Sequence, residues 1–224
     1  LLLPVSYQEK LRTAFRDIEH ADADYKLEKS LTALGGAVSD VSTKLALLLD
    51  REMNEVWKKF NNRDPGKNKA NVYFPMRKTL AEFDAYLQKS QLGTLNEKSP
   101  RTYDFLHSIQ PFSTPEYEWL SKMLEVASTR HESDAEIEEK RITTSIGLGA
   151  GQNLYIKAMT IRNGNISFSG NAFDQSGAIQ PLNIERTEEI LAFATSAGKP
   201  AIAFLKDCHR GSGKLLRDLR SCHD

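Results

Sequence analysis

Leu27, Leu31, Leu34, Val38, Val41, Leu45 and Leu48 follow one another at alternating steps of four and three. That spacing sets apolar side chains along a single face of an α-helix. Val56, Trp57 and Phe60 extend the row after a small shift of phase near Glu52. A seam this long has to be covered by other helices. It predicts a helical bundle with a long second helix, the Leu27–Leu48 face serving either as internal core or as a homodimer seam. Gly35-Gly36 interrupts the row, and in a helix interior each Gly costs roughly 1 kcal/mol relative to Ala. A close crossing, a kink or a tolerated defect would each account for the pair.

Shorter signals surround the seam. Ser6 and Glu9 have the spacing of a capping box, followed by Leu11, Phe15 and Ile18 on one predicted face. The pattern is lost between Asn61 and Met76, where Asn61-Asn62-Arg63-Asp64-Pro65-Gly66 is a turn cluster. Thr79 and Glu82 form a second capping box, with Leu80, Phe83 and Leu87 in phase. Ser99-Pro100 opens a helix that Pro111 ends. Thr114-Pro115 opens the next, which buries Leu120, Met123, Leu124 and Ala127 and is predicted to run on, acidic, to about Glu139.

The period then changes to alternation at Ile142, Thr144, Ile146 and Leu148. Two further runs, Leu154 to Arg162 and Asn165 to Phe173, flank Asn163-Gly164, a dipeptide suited to a type I′ hairpin turn. After Lys199-Pro200, Ile202, Leu205, Cys208, Leu215, Leu216 and Leu219 keep helical phase across Gly211-Ser212-Gly213, so one continuous helix is predicted. The expected class is α+β. It comprises a helical bundle (1–140), a small antiparallel β-sheet inserted at 141–198, and a C-terminal helix (199–224) returning to the bundle in a single compact unit.

Composition narrows the function. The chain has 224 residues, 40% of them hydrophobic, with two cysteines and 30 basic against 30 acidic residues. Collagen, disulfide-stapled and wholly disordered chains are excluded, as is a polycation that coats nucleic acid with its whole surface. No run of 18 apolar residues exists to predict a spanning helix, and Leu1-Leu2-Leu3 is too short for a signal-peptide core. The missing initiator Met implies an upstream piece that was cut off or left out. A reducing, cytoplasmic setting without a membrane partner is expected.

The zero net charge hides a separation. Lys58, Lys59, Arg63, Lys67, Lys69, Arg77 and Lys78 face only Asp64 between positions 58 and 78, with Tyr73 and Phe74 among them. Between Glu116 and Glu139, eight acidic residues stand against Lys122 and Arg130. A flexible basic loop with aromatics can hold phosphates and stack bases. The alternatives are that it folds over the acidic helix, or that both charged stretches are solvated.

The stretches Val72-Tyr73-Phe74-Pro75-Met76, Phe105 to Phe112 with its Ser108-Ile109-Gln110-Pro111 ending, Trp119-Leu120 through Arg130-His131, and Lys199 to Leu219 together resemble a family of bacterial helical proteins related to the HEPN group. The resemblance implies an all-helical domain of a kind often found as ribonucleases in toxin and phage-defence systems. It also implies an Arg and a His, four to six residues apart, on the second helix. Here Val38 and Thr43 occupy the aligned places, and that helix has no His, so the resemblance implies the fold without the catalytic pair.

Other constellations are weaker. Arg101–His107 and Arg217–His223 repeat the Arg-to-His spacing, but a six-residue step turns ~240° on a straight helix, which puts the two side chains on different faces. Cys208-His209 and Cys222-His223 offer zinc-ligand types. On one continuous helix they stand ~21 Å apart, too far for a single ion. His131, Asp134 and Glu138 at i, i+3 and i+7 could hold a divalent metal or simply form a solvated acidic face. Gly211-Ser212-Gly213-Lys214 lacks the first Gly and the trailing Ser/Thr of a phosphate loop. No cofactor is expected. The leading expectation is a non-enzymatic binding protein that contacts nucleic acid through its basic segment. The alternatives are a divergent ribonuclease using Arg101 and His107, and a small-ligand sensor with a pocket between bundle and sheet.

Overall fold

The structure is a computed structural model that describes residues 3–28, 30–64, 72–129, 135 and 200–223, and the backbone of 137–147, 153–162, 165–173, 179–180 and 183–193. It divides into two compact units, Leu1–Ala135 with Ile202–Asp224, and Glu136–Ala201.

The first unit is a bundle organised on its second helix. Helix α1 spans Val5–Glu28 and α2 spans Leu31–Asn61. Ser30 caps α2, accepting from the Ala33 N–H at 3.2 Å, and Asn62 closes it in the left-handed region at φ 51°. This cap cuts the predicted seam. Leu27 falls at the end of α1 and is 83% exposed, whereas Leu34, Val38, Val41, Leu45 and Leu48 are buried within the single chain. Leu49, Met53, Val56 and Trp57 are buried as well, so α2 is enclosed on more than one side. By length and composition α2 could cross a membrane, with mean hydropathy 1.2 over its most apolar window. Here its apolar surface is turned onto α1 and α6.

Helix α1 starts earlier than its sequence signal. Pro4 accepts from the N–H groups of Tyr7 and Gln8, which places Ser6 inside the first turn rather than at the cap. Its buried face is Tyr7, Ala14, Ile18, Ala21 and Tyr25, so Leu11 and Phe15 lie to one side of it. The capping box at Thr79 and Glu82 forms as expected and opens α3, Leu80–Lys89. A single turn, α4 (Leu95–Lys98), precedes α5 (Pro100–Ser108), which has Pro100 in its first turn. A 3₁₀ turn at Pro115–Tyr117 leads into α6, Glu118–Thr129; residues 130–134 of the expected acidic helix lie outside the described residues, and its predicted end at 137–139 is extended backbone.

Helix α7, Ala201–His223, is continuous, and Gly211 within it permits close packing. A Cβ on Gly211 would stand 2.3 Å from the Trp119 ring, so α6 and α7 approach more closely than any side chain there would allow. Ser212, also buried, donates to the Met123 sulfur at 3.8 Å. The last turn of α7 is anchored rather than frayed. The buried Glu52 carboxylate accepts from Arg220 at 3.3 Å and lies 2.8 Å from His223 Nε2. Burial, followed by the charge and hydrogen bond of Glu52, pushes the Tyr7 hydroxyl up to about 12.

The α+β class predicted from the sequence is corrected. Helix makes up 80% of the residues described with their side chains, with no strand among those, and the single inserted antiparallel sheet is not seen. The unit that holds the described core is all-α. In the backbone of the second unit, the extended segments pair in two separate ladders. Ile137–Gly147 runs antiparallel to Asn183–Phe193, and Asn153–Arg162 pairs with Asn165–Phe173, which also pairs with Ile179–Gln180. The Asn163-Gly164 turn lies outside the described residues. Alternating apolar and polar residues mark extended backbone locally. They carry no information on whether such segments share one sheet or belong to the helical core.

Candidate functional site

Between α2 and α3, residues 72–77 form a strap that belongs to neither helix nor strand among the described residues. Its side chains alternate at first: Val72 and Phe74 are buried, and Tyr73 between them is 59% exposed. A buried segment outside helix and sheet must satisfy its backbone polar groups by other means. Four side chains do so here. Asn54 Nδ2 donates to the Val72 carbonyl at 3.1 Å, and the Tyr86 hydroxyl donates to the Tyr73 carbonyl. Asp50 Oδ1 accepts from the Phe74 N–H at 2.7 Å. Gln110, fully buried, donates to the Pro75 carbonyl at 2.9 Å and accepts from the Arg77 N–H at 2.9 Å. Its amide also donates to the Leu106 carbonyl at 2.7 Å, which ties the strap to the end of α5.

The strap is therefore held from α2, α3 and the C-terminal end of α5 at once. The Arg77 guanidinium lies 4.7 Å from the centre of the Tyr86 ring, a cation–π contact that fixes its direction, and donates to the Met76 carbonyl at 2.8 Å. Burial raises the pKa of Tyr86, keeping that ring neutral beneath the cation. Burial also raises the pKa of Asp50, against the opposing pull of the Phe74 N–H.

Along the strap runs a groove of about 720 Å³, whose walls include Thr43, Leu47, Asp50, Tyr73, Arg77 and Glu125. Ser121 and Ser128 of α6 add hydroxyls. Of its two carboxylates, Asp50 is engaged by the strap and Glu125 pairs with Lys122 at 3.0 Å. The half-exposed Leu47 also borders a second cleft, of 240 Å³, lined by Lys10, Thr13, Lys44, Leu48 and Arg51. Lys44 is partnered there by Asp17 at 2.8 Å. Leu47 thus borders both clefts, one lined by Lys10, Lys44 and Arg51 and the other by Arg77 and Tyr73.

The remaining basic residues of the segment are placed apart. Lys58 pairs with Glu55 at 2.9 Å, a hydrogen bond that raises its pKa. Lys59 donates to the His223 carbonyl at 3.3 Å. Arg63 lies over the Trp57 ring, 5.3 Å from its centre, and donates to the Gln91 side chain. Lys78 is exposed, its N–H given to Glu82 at 3.0 Å. Lys67 and Lys69 lie outside the described residues. The expected flexible basic loop is, over 72–78, a pinned strap, and Phe74 is core rather than a stacking surface.

Arg101 and His107 do not converge. Arg101 is exposed at the start of α5, while His107 sits among Phe83, Tyr103 and Phe112, with its Nδ1 3.4 Å from the Ser113 hydroxyl. In α2, Val38 is core and the Thr43 hydroxyl donates to the Ser39 carbonyl. The zinc pairing fails because α7 is continuous. Cys208 is buried, His209 bonds the Leu11 carbonyl and His223 bonds Glu52. His131 and Asp134, and the side chain of Glu138, lie outside the described residues, as does any pocket between bundle and sheet. Among the described residues, no group of three or more His, Cys, Asp or Glu side chains could hold a metal.

Fold and site together define an all-helical unit that displays an aromatic and a cation from a pinned strap. No family model matches the chain, and neither a curated protein nor a solved structure matches it.

Proposed function

We propose that the protein is a non-enzymatic binding protein that takes single-stranded nucleic acid along the strap groove. Bases would stack on Tyr73, and phosphates would meet Arg77, Lys44, Arg51 and Lys10. The observation that carries this reading is the exposed Tyr73 ring beside Arg77 on a backbone anchored by five hydrogen bonds. A ring already held in place loses little freedom on stacking, and stacking tolerates any base. The HEPN-like resemblance accords with an all-helical unit whose second helix lacks the catalytic pair, and a binding role needs neither residue.

Fluorescence anisotropy of a labelled oligouridylate, titrated at several salt concentrations, tests the proposal. Log affinity is expected to fall linearly with log salt. Arg77→Gln is expected to weaken binding and reduce the slope by ~0.7, the value for one phosphate contact on a single strand. Neutralising Lys67, Lys69 and Lys78 together reports what the rest of the segment adds. A flat salt response would overturn the reading.

A further inference from the structure

A different part of the bundle carries a second site. Where α1 meets the middle of α7, an open cleft of about 530 Å³ lies between Leu3, Gln8, Leu11, Arg12, Phe15, His209 and Arg217. Its size falls in the range of small-molecule pockets, roughly 300–1,000 Å³. Leu11 and Phe15, the two α1 residues displaced from the core face, have a use here: they form the apolar wall, with the Phe15 ring 5.3 Å from the His209 ring. His209 is oriented by its Nε2, 2.9 Å from the Leu11 carbonyl. Gln8 is held by the Leu3 carbonyl at 2.7 Å.

The charge of the lining is one-sided. Two guanidiniums, Arg12 and Arg217, approach from different helices, and no carboxylate lines the cleft among the described residues. Guanidinium forks match planar carboxylates and phosphates in a bidentate manner, and the floor between them is aliphatic and aromatic. We infer that this cleft binds an amphipathic organic anion, a carboxylate or phosphate head on an apolar body, with the head between Arg12 and Arg217 and the body against Leu11 and Phe15. None of these residues belongs to the strap groove, so the inference does not depend on nucleic-acid binding.

The test is isothermal calorimetry of the full chain with three probes: decanoate, decanol and inorganic phosphate. Decanoate is expected to bind at least about tenfold more tightly than either decanol or phosphate, since only it uses both halves of the site. Arg12→Gln with Arg217→Gln should reduce decanoate to the level of decanol. Phe15→Ala, at an already half-exposed position, should weaken decanoate and decanol alike. Lys44→Gln with Arg51→Gln should leave decanoate binding unchanged. Equal affinity for decanoate and decanol, or decanoate binding that survives loss of both arginines, would overturn the inference. So would decanoate binding that is lost with Lys44 and Arg51. Decanoate bound only as loosely as phosphate would also refute it, because the apolar wall would then contribute nothing.

Discussion

Asp50 spends its charge on a backbone N–H, and its environment makes that charge costly. Burial raises its pKa above the ordinary carboxylate value, so the folded chain holds this proton more firmly than the unfolded chain does. Stability contributed at this position therefore falls as pH rises from the unfolded pKa through the raised folded one. Asp50→Asn keeps the acceptor oxygen for Phe74 without the charge. It is expected to match or exceed the wild type in urea unfolding at neutral pH and to flatten the profile on the acid side. Asp50→Ala leaves the Phe74 N–H unpaired and should cost about 1–3 kcal/mol. Tyr7 gives the alkaline counterpart. With its hydroxyl pushed up to about 12, stability should decline as pH rises from about 10 to about 12, and Tyr7→Phe should remove that decline. Glu52 holds Arg220 and His223 from a position with no exposure. Glu52→Gln, which removes the buried carboxylate that accepts from Arg220, is expected to destabilise by about 1–3 kcal/mol in the same measurement.

At the scale of the element, α7 tests whether Gly211 serves packing. Ala is the better helix former by about 1 kcal/mol, which would favour Gly211→Ala on propensity alone. The 2.3 Å approach of a new Cβ to the Trp119 ring opposes that gain, and overpacking costs typically ~1–3 kcal/mol. The variant is expected to lower the melting temperature, and adding Trp119→Leu should recover part of the loss. The strap depends on Gln110 in a comparable way. Gln110→Leu preserves volume while orphaning the Pro75 carbonyl and the Arg77 N–H, and it should cost about 2 kcal/mol or more. Elements built on local periodicity were legible in the sequence, as α2, the Thr79 capping box and the unbroken α7 show. The α1 face was misplaced because Leu11 and Phe15 look like core by spacing yet border an open cleft. The strap's anchors could not be read at all. Asn54, Asp50, Tyr86 and Gln110 reach it from 13 to 35 residues away, and a side chain bonding a distant backbone leaves no periodic mark.

For the whole molecule, the balanced charge is a sum over surfaces of different character. The sequence separates a basic segment from an acidic one. The folded unit regroups them, with Lys58, Lys59 and Arg63 tied to other parts of the bundle, and with Arg77 lining one side of Leu47 and Lys44, Arg51 and Lys10 lining the cleft on the other, which no run in the sequence singles out. Tyr73 is the point at which this surface would touch a base. A Tyr73→Trp variant turns that claim into a direct signal, because Trp57 is fully buried and Trp119 is packed on Gly211. Titrating it with oligouridylate at low salt, against the wild type as background, is expected to quench the added indole emission saturably, with a midpoint that rises steeply with salt. Emission unchanged across a titration in which anisotropy reports full binding would contradict the account, since nucleic acid would then be bound somewhere other than the strap.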